Sequence, residues 1–194
     1  MDWILKKRKC YYLILLLMIF NRSAFAFEGL YISGAAGGLL VTDKTNVTTK
    51  SVSLSIAGLI GYNFYSQANI LLAGEVEAQY LFSFNKSGNI NWNISPRLKA
   101  HYRLAYFYPY VLLGLNYSSF NHTIDEENNA IKLSANLFGY QYGVGVSYLR
   151  DRNSSYFLEF RYLETFSREV KTENKSYQVD VSAKELRFGM TYYF

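Results

Sequence analysis

The 194-residue chain is half hydrophobic and rich in aromatic residues, with 19 Tyr, 14 Phe and 2 Trp, and its 20 Lys and Arg outnumber 15 Asp and Glu. The net charge of +5 implies no polyanionic partner, because Lys6, Lys7, Arg8, Lys9, Arg22 and Asp2 all fall in the first 26 residues, leaving 15 basic against 14 acidic side chains beyond them. The single cysteine, Cys10, lies there too, so the remainder holds no disulfide, thiol nucleophile or cysteine metal site.

At the amino terminus, Lys6 to Lys9 precede an apolar run of eleven residues, Cys10 to Phe20, followed by the small-x-small triplet Ala24-Phe25-Ala26. A spanning helix needs about twenty apolar residues. The pattern therefore predicts a cleaved signal peptide over 1–26 and a mature domain over 27–194. Cys10 opens the apolar run instead of following it, which argues against a lipoprotein.

Beyond Ala26 the dominant signal is alternation with period two. Val52, Leu54, Ile56, Gly58, Ile60, Tyr62 and Phe64 interleave with Ser53, Ser55, Ala57, Leu59, Gly61 and Asn63. Phe138, Tyr140, Tyr142, Val144, Val146 and Tyr148 repeat the pattern against Gly139, Gln141, Gly143, Gly145 and Ser147. Carried along the chain, it predicts strands at 28–41, 51–64, 70–84, 92–105, 109–119, 132–149, 155–165 and 178–194. Each reaches the roughly nine to eleven residues that a tilted strand needs to cross a bilayer. The expected fold is all-β: an eight-stranded antiparallel up-and-down transmembrane β-barrel.

An even strand count places both ends of the domain on the periplasmic side, with short turns near 65–69, 106–108 and 150–154. Longer loops near 42–50, 85–91, 120–131 and 166–177 face outward, where adhesive contacts or pairing of exposed strand edges with extended peptides would occur. Tyr62, Phe64, Tyr106, Tyr108, Tyr110, Tyr148, Tyr156 and Tyr192 are expected in the inner aromatic girdle, and Phe82, Phe84, Trp92, Tyr117 and Phe120 in the outer one. Proline interrupts a ladder, so Trp92 to Pro96 is expected above the outer interface. Strand five is apolar on both faces from Tyr110 to Leu115, which leaves its facing open. A soluble sandwich or lipocalin-like barrel would share the alternation; against it, the bulky aromatics ride on one face and the charges on the other.

Eight strands enclose a lumen that side chains fill, so the predicted core is polar. Glu75 and Glu77 on strand three face Arg97, Lys99 and Arg103 on strand four, and Glu159, Arg161, Glu185 and Arg187 form a second group on strands seven and eight. Unpaired buried charges cost several kcal/mol each, which favours a salt-bridged plug over an ion or proton relay.

Catalysis finds little support. His101 is expected in the lumen among cations, and His122 on an outer loop beside Thr123 and Asp125. Neither has a base-orienting partner fixed by spacing. There is no His-x-Ser as in lipid A deacylase barrels, and the omptin-like proteases need ten strands. No catalytic, cofactor-binding or metal-binding residues are assigned.

Three places carry a resemblance: Phe27 to Gly37 at the mature start, Pro109 to Leu115 opening strand five, and Phe138 to Tyr148 together with the closing strand. The mature chain resembles the small OmpA/OmpX-type outer-membrane barrels, a group that includes opacity-like antigens and Ail-like adhesins. Arg187, Gly189, Tyr192 and Phe194 are similar to the terminal signal by which such barrels are recognised for assembly. The resemblance implies a non-enzymatic surface protein of the bacterial outer membrane, acting in envelope structure, adhesion or immune evasion. Implied partners are outer-membrane lipid and lipopolysaccharide, the barrel-assembly machinery and host surface or matrix proteins, with no nucleic acid. A lipid-modifying barrel enzyme and a narrow porin-like channel are the alternatives.

Overall fold

Where one face of a strand meets hydrocarbon and the other a lumen, every backbone N–H and C=O must pair within the sheet, which only a closed barrel allows. The computed structural model of the protein describes residues 29–43, 49–67, 69–83, 89–126, 129–171 and 176–194. The predicted signal peptide lies outside them. Among the described residues ten strands form in chain order: β1 (Gly29–Asp43), β2 (Thr49–Gln67), β3 (Ile70–Ser83), β4 (Asn89–Tyr102), β5 (Phe107–Glu126), β6 (Asn129–Leu149), β7 (Ser154–Thr165), β8 (Arg168–Lys171), β9 (Ser176–Val179) and β10 (Val181–Tyr193). Eight of them close an antiparallel barrel, with β1 pairing both β2 and β10, while β8 and β9 make a separate hairpin between β7 and β10.

The register fixes the barrel's shape. Following paired residues once around, from Leu30 through Tyr62, Gly74, Leu98, Leu113, Tyr142, Tyr162 and Lys184, returns to Leu40, a stagger of 40 − 30 = 10 residues. With a rise of about 3.3 Å per residue and strands about 4.8 Å apart, that stagger corresponds to a tilt of about 40°. The ten steps from Lys184 to Phe194 then span about 25 Å along the axis, the height of the apolar band on a membrane barrel.

Outward positions are those the alternation predicted: Val52, Leu54, Ile56 and Ile60 on β2, Phe138, Tyr142 and Val144 on β6, and Leu186, Phe188 and Met190 on β10 are all exposed. Strand five resolves as well. Val111, Leu113 and Leu115 point out, while Tyr108, Tyr110, Leu112, Asn116 and Ser118 point in. Tyr108, Tyr110 and Phe120 therefore leave the expected girdles, being 5%, 4% and 0% exposed in the interior. Phe84 lies outside the described residues.

Three further expectations change. Pro96 is not above the interface but in the middle of β4, opposite Val76. Its missing N–H is accommodated by a lapse in the β4–β5 ladder between Ile94↔Tyr117 and Arg97↔Gly114. The stretch expected as a third loop is mostly strand, since β5 and β6 stay paired out to Glu126↔Asn129. Likewise β8 and β9 occupy much of the expected fourth loop. Above the membrane a strand needs no greasy outward face, so these extensions carry only a weaker alternation, such as Ile131, Leu133, Ala135 and Leu137 against Lys132, Ser134 and Asn136, with polar residues in the positions that face lipid lower down.

Candidate functional site: a closed, charged lumen

The inward side chains stack in three layers between the end with tight turns and the end with long hairpins. At the hairpin end, Leu39, Val41, Leu81, Ile90, Phe120, Leu137, Leu163, Val179, Val181 and Ala183 pack as one apolar plug. Val179, wholly buried, comes from the β8–β9 hairpin. The Thr165 hydroxyl clips the hairpin's base by donating to the Val181 carbonyl and accepting the Val181 N–H, both at 3.0 Å. At the turn end, Leu71 and Tyr108 close the lumen with Leu149 and Tyr193. Sequence reasoning expected a polar core throughout and missed both closures. The available signal was the switch on β1 from Ser33, Ala35 and Gly37 to Leu39 and Val41 at successive inward positions.

Between the closures lies the charge network. Glu77 is its hub, 2.5 Å from Arg161, 2.5 Å from Arg187 and 2.9 Å from Arg97, with all four side chains wholly buried. Glu75 binds the Arg97 Nε, accepts from Lys99 at 2.7 Å and from the Tyr31 hydroxyl at 2.6 Å. Glu159 faces Arg187 at 2.5 Å and Arg97 at 3.4 Å, and accepts from the Tyr110 hydroxyl at 2.9 Å. Glu185 binds Arg161 at 2.5 Å, the Ser55 hydroxyl at 2.5 Å and the Gln79 amide at 2.8 Å. Each of the four carboxylates thus meets three donors. Four acids against Arg97, Lys99, Arg161 and Arg187 leave the layer formally neutral, which is what a low-dielectric interior demands.

The two groups expected from strands three and four and from the last two barrel strands are therefore one network, joined by Arg161 and Arg187 reaching Glu77 and by Arg97 reaching Glu159. Arg103 is not part of it. β4 ends at Tyr102, and Arg103 sits in the following turn, partly exposed, its guanidinium 5.9 Å from the Tyr108 ring centroid. Tyr31, Tyr110, Ser55, Gln79 and Gln141, which accepts from Arg161 at 2.9 Å, supply the neutral partners.

Room for the guanidinium groups comes from glycines. Arg97, Arg161 and Arg187 each pair across strands with Gly114, Gly143 and Gly37 respectively. A Cβ at those glycines would stand 2.6 to 2.8 Å from the arginine Cβ. In the terminal segment, Arg187 is in the network, Tyr192 and Phe194 face outward, and Gly189 leaves the space that the Phe157 ring fills, 2.3 Å from a Cβ built there.

His101 is buried, its ring 4.9 Å from that of Tyr110, with Nδ1 lacking a hydrogen-bond partner. The side chains of His122, Thr123 and Asp125 lie outside the described residues, although their backbone belongs to β5. Among the described residues no group of three or more His, Cys, Asp or Glu is placed to hold a metal.

A family model described as the outer membrane protein beta-barrel domain matches residues 12–194. No curated protein matches the sequence. Among solved structures, Neisserial surface protein A is similar with a TM-score of 0.51 and 18% identity, covering 85% of this chain and 97% of that one. Ail, the attachment invasion locus protein of Yersinia pestis, is similar at 0.51 and 16%, covering 87% and 100%. The outer membrane protease OmpT of Escherichia coli is similar at 0.54 and 11%, covering 90% and 99%. Identities this low establish a shared fold and leave enzymatic and non-enzymatic members side by side.

Proposed function

Since the chain belongs to the outer membrane protein β-barrel family and so resides in the bacterial outer membrane, we propose that it is a non-enzymatic surface protein acting through its long hairpins. The observation that carries this reading is the β5–β6 hairpin. β6 pairs with β7 only from Gly139 onward and β5 with β4 only as far as Asn121, yet β5 and β6 continue together to Glu126↔Asn129. The ten steps from 129 to 139 carry it about 25 Å beyond the last β6–β7 pair at the barrel's tilt. Among the described residues the β5 edge beyond Asn121 and the β6 edge beyond Asn136, whose carbonyl accepts from Arg168, have no ladder partner; such edges are templates for an extended peptide, and host surface or matrix proteins are the partners this geometry suits.

The interior supports the same reading by offering no path. Among the described residues, a neutral network between two apolar closures leaves no open channel, which weighs against the pore. Export on a signal peptide removed after Ala26, and recognition by the barrel-assembly machinery through Arg187, Gly189, Tyr192 and Phe194, complete the proposal.

Replacing the β5–β6 and β8–β9 hairpins with short turns tests it. Binding of bacteria to host matrix should fall to background while the purified protein keeps its heat-dependent shift in gel mobility. Undiminished binding together with an altered lipid A mass spectrum would overturn the reading in favour of a lipid-modifying enzyme.

A further inference from the structure

Above the last β6–β7 pair, two strand edges face each other with no ladder between them. Gly139 pairs with Thr165, and the Phe166 N–H donates to the Phe138 carbonyl at 2.7 Å. At the next position on that side of β6, the Asn136 carbonyl accepts at 2.6 Å from the Arg168 guanidinium instead of a backbone N–H. Every second residue of a strand turns its N–H and C=O to the same side, so Asn136 and Ser134 present theirs toward β8. Among the described residues β8 pairs with β9 alone.

The joint between β7 and β8 is a bulge. Glu164 pairs with Ser182 and Arg168 with Val179, which is four steps on one side against three on the other. One extra residue bends the strand that carries it. Below the joint, the Thr165 hydroxyl holds both backbone groups of Val181, and Val179 is sunk in the apolar plug. A swing is therefore confined to β8 and the part of β9 above Val179.

We propose that β8 is a strap for the β6 edge and that Arg168 is the wedge that holds it off. A ladder brings its strands to about 4.8 Å. The guanidinium bonded to the Asn136 carbonyl stands where the approaching backbone would have to come, and that bond is exposed. Once it is released, the same extra residue sets the closing register. Glu169, four steps beyond Thr165, comes opposite Asn136, three steps beyond Gly139, and Lys171 comes opposite Ser134. The strap then occupies the edge on which, under the proposed function, an extended peptide would pair. Its regulatory role rests on that reading, whereas the movement does not.

Amide hydrogen exchange of Asn136 and Ser134, followed by NMR on the purified barrel in micelles, tests the movement. Arg168→Ala removes the wedge and should slow exchange at both amides at least tenfold. Adding Glu169→Pro takes away the N–H turned to Asn136 and should restore the rate of the unaltered chain. Adding Glu169→Ala instead loses the same carboxylate, with the bond it accepts from the Ser176 hydroxyl, and should keep the slow rate. Equal rates in Arg168→Ala and the unaltered chain, or slow exchange that survives the proline, would overturn the proposal. Binding of bacteria to host matrix tests the role: it should fall at least fivefold in Arg168→Ala and recover when Glu169→Pro is added. Undiminished binding alongside slow exchange would overturn the regulation, and equal loss in both variants would make Arg168 a contact for the peptide and overturn it too. Absence of binding by the unaltered protein would overturn the proposed function and the regulation with it, while the exchange rates still decide the movement.

Discussion

Glu77 shows how the interior is held. Its carboxylate is shared by Arg97, Arg161 and Arg187 from β4, β7 and β10, so one side chain on β3 ties four strands across the lumen. Removing one member of a buried pair leaves uncompensated charge, and here it leaves three guanidinium groups short of an anion. Glu77→Ala is expected to destabilise the barrel by about 3–5 kcal/mol in urea unfolding from phospholipid vesicles; a loss under 1 kcal/mol would show that the cations find other partners. Gly143 tests the fit around one of them. A Cβ there would lie 2.6 Å from the Phe160 carbonyl and 2.8 Å from the Arg161 Cβ, both on β7. Gly143→Ala should cost about 1–3 kcal/mol by overpacking in the same assay, and an unchanged midpoint would mean that β7 yields.

These residues also show what was legible beforehand. A charge at an inward slot announces itself, because the same charge toward lipid would be costly, and all of the network's charged members were readable from alternation alone. Leu39, Val41 and Phe120 were not, since an apolar residue suits the lumen and the lipid equally. Arg103 misled for a related reason: parity placed it inside, but the strand ended one residue earlier, at Tyr102.

Elements were legible where hydrocarbon imposed a pattern and illegible beyond it. β2 and β10 were found from their greasy faces, whereas the upper β5–β6 hairpin stands clear of the bilayer and carries no such outward face. Pro96 in mid-β4 defied a sound rule because its ring faces lipid and only the β4–β5 ladder lapses beside it. The tight turns at the other end use local bonds. In the turn before β7, the Ser154 hydroxyl donates to Asp151 at 2.7 Å and the Asn153 N–H at 2.8 Å. These bonds, the serine's foremost, hold the Asp151 carboxyl below its ordinary value. A group whose folded pKa is depressed adds stability above its unfolded value of about 3.9, and that stability is lost as pH falls through the folded one. The Asn153 amide resonance should therefore titrate with a midpoint below about 3.9 and not titrate in Asp151→Asn; a midpoint at or above that value would mean the turn's bonds are absent in solution.

At the scale of the whole molecule, stagger, strand number and layered interior agree. An eight-stranded barrel is only wide enough for its own side chains, and here they divide into a neutral charged middle with an apolar closure at each end. The exterior then remains for contact with lipid, and under the proposed function the long hairpins serve contact with other surfaces. That division of labour is the central claim, and planar-bilayer recording of the purified protein tests it most directly. A closed lumen predicts a baseline without stepwise conductance, unchanged when the hairpins are shortened above the plug. Stable, stepwise openings of the unaltered protein would contradict it.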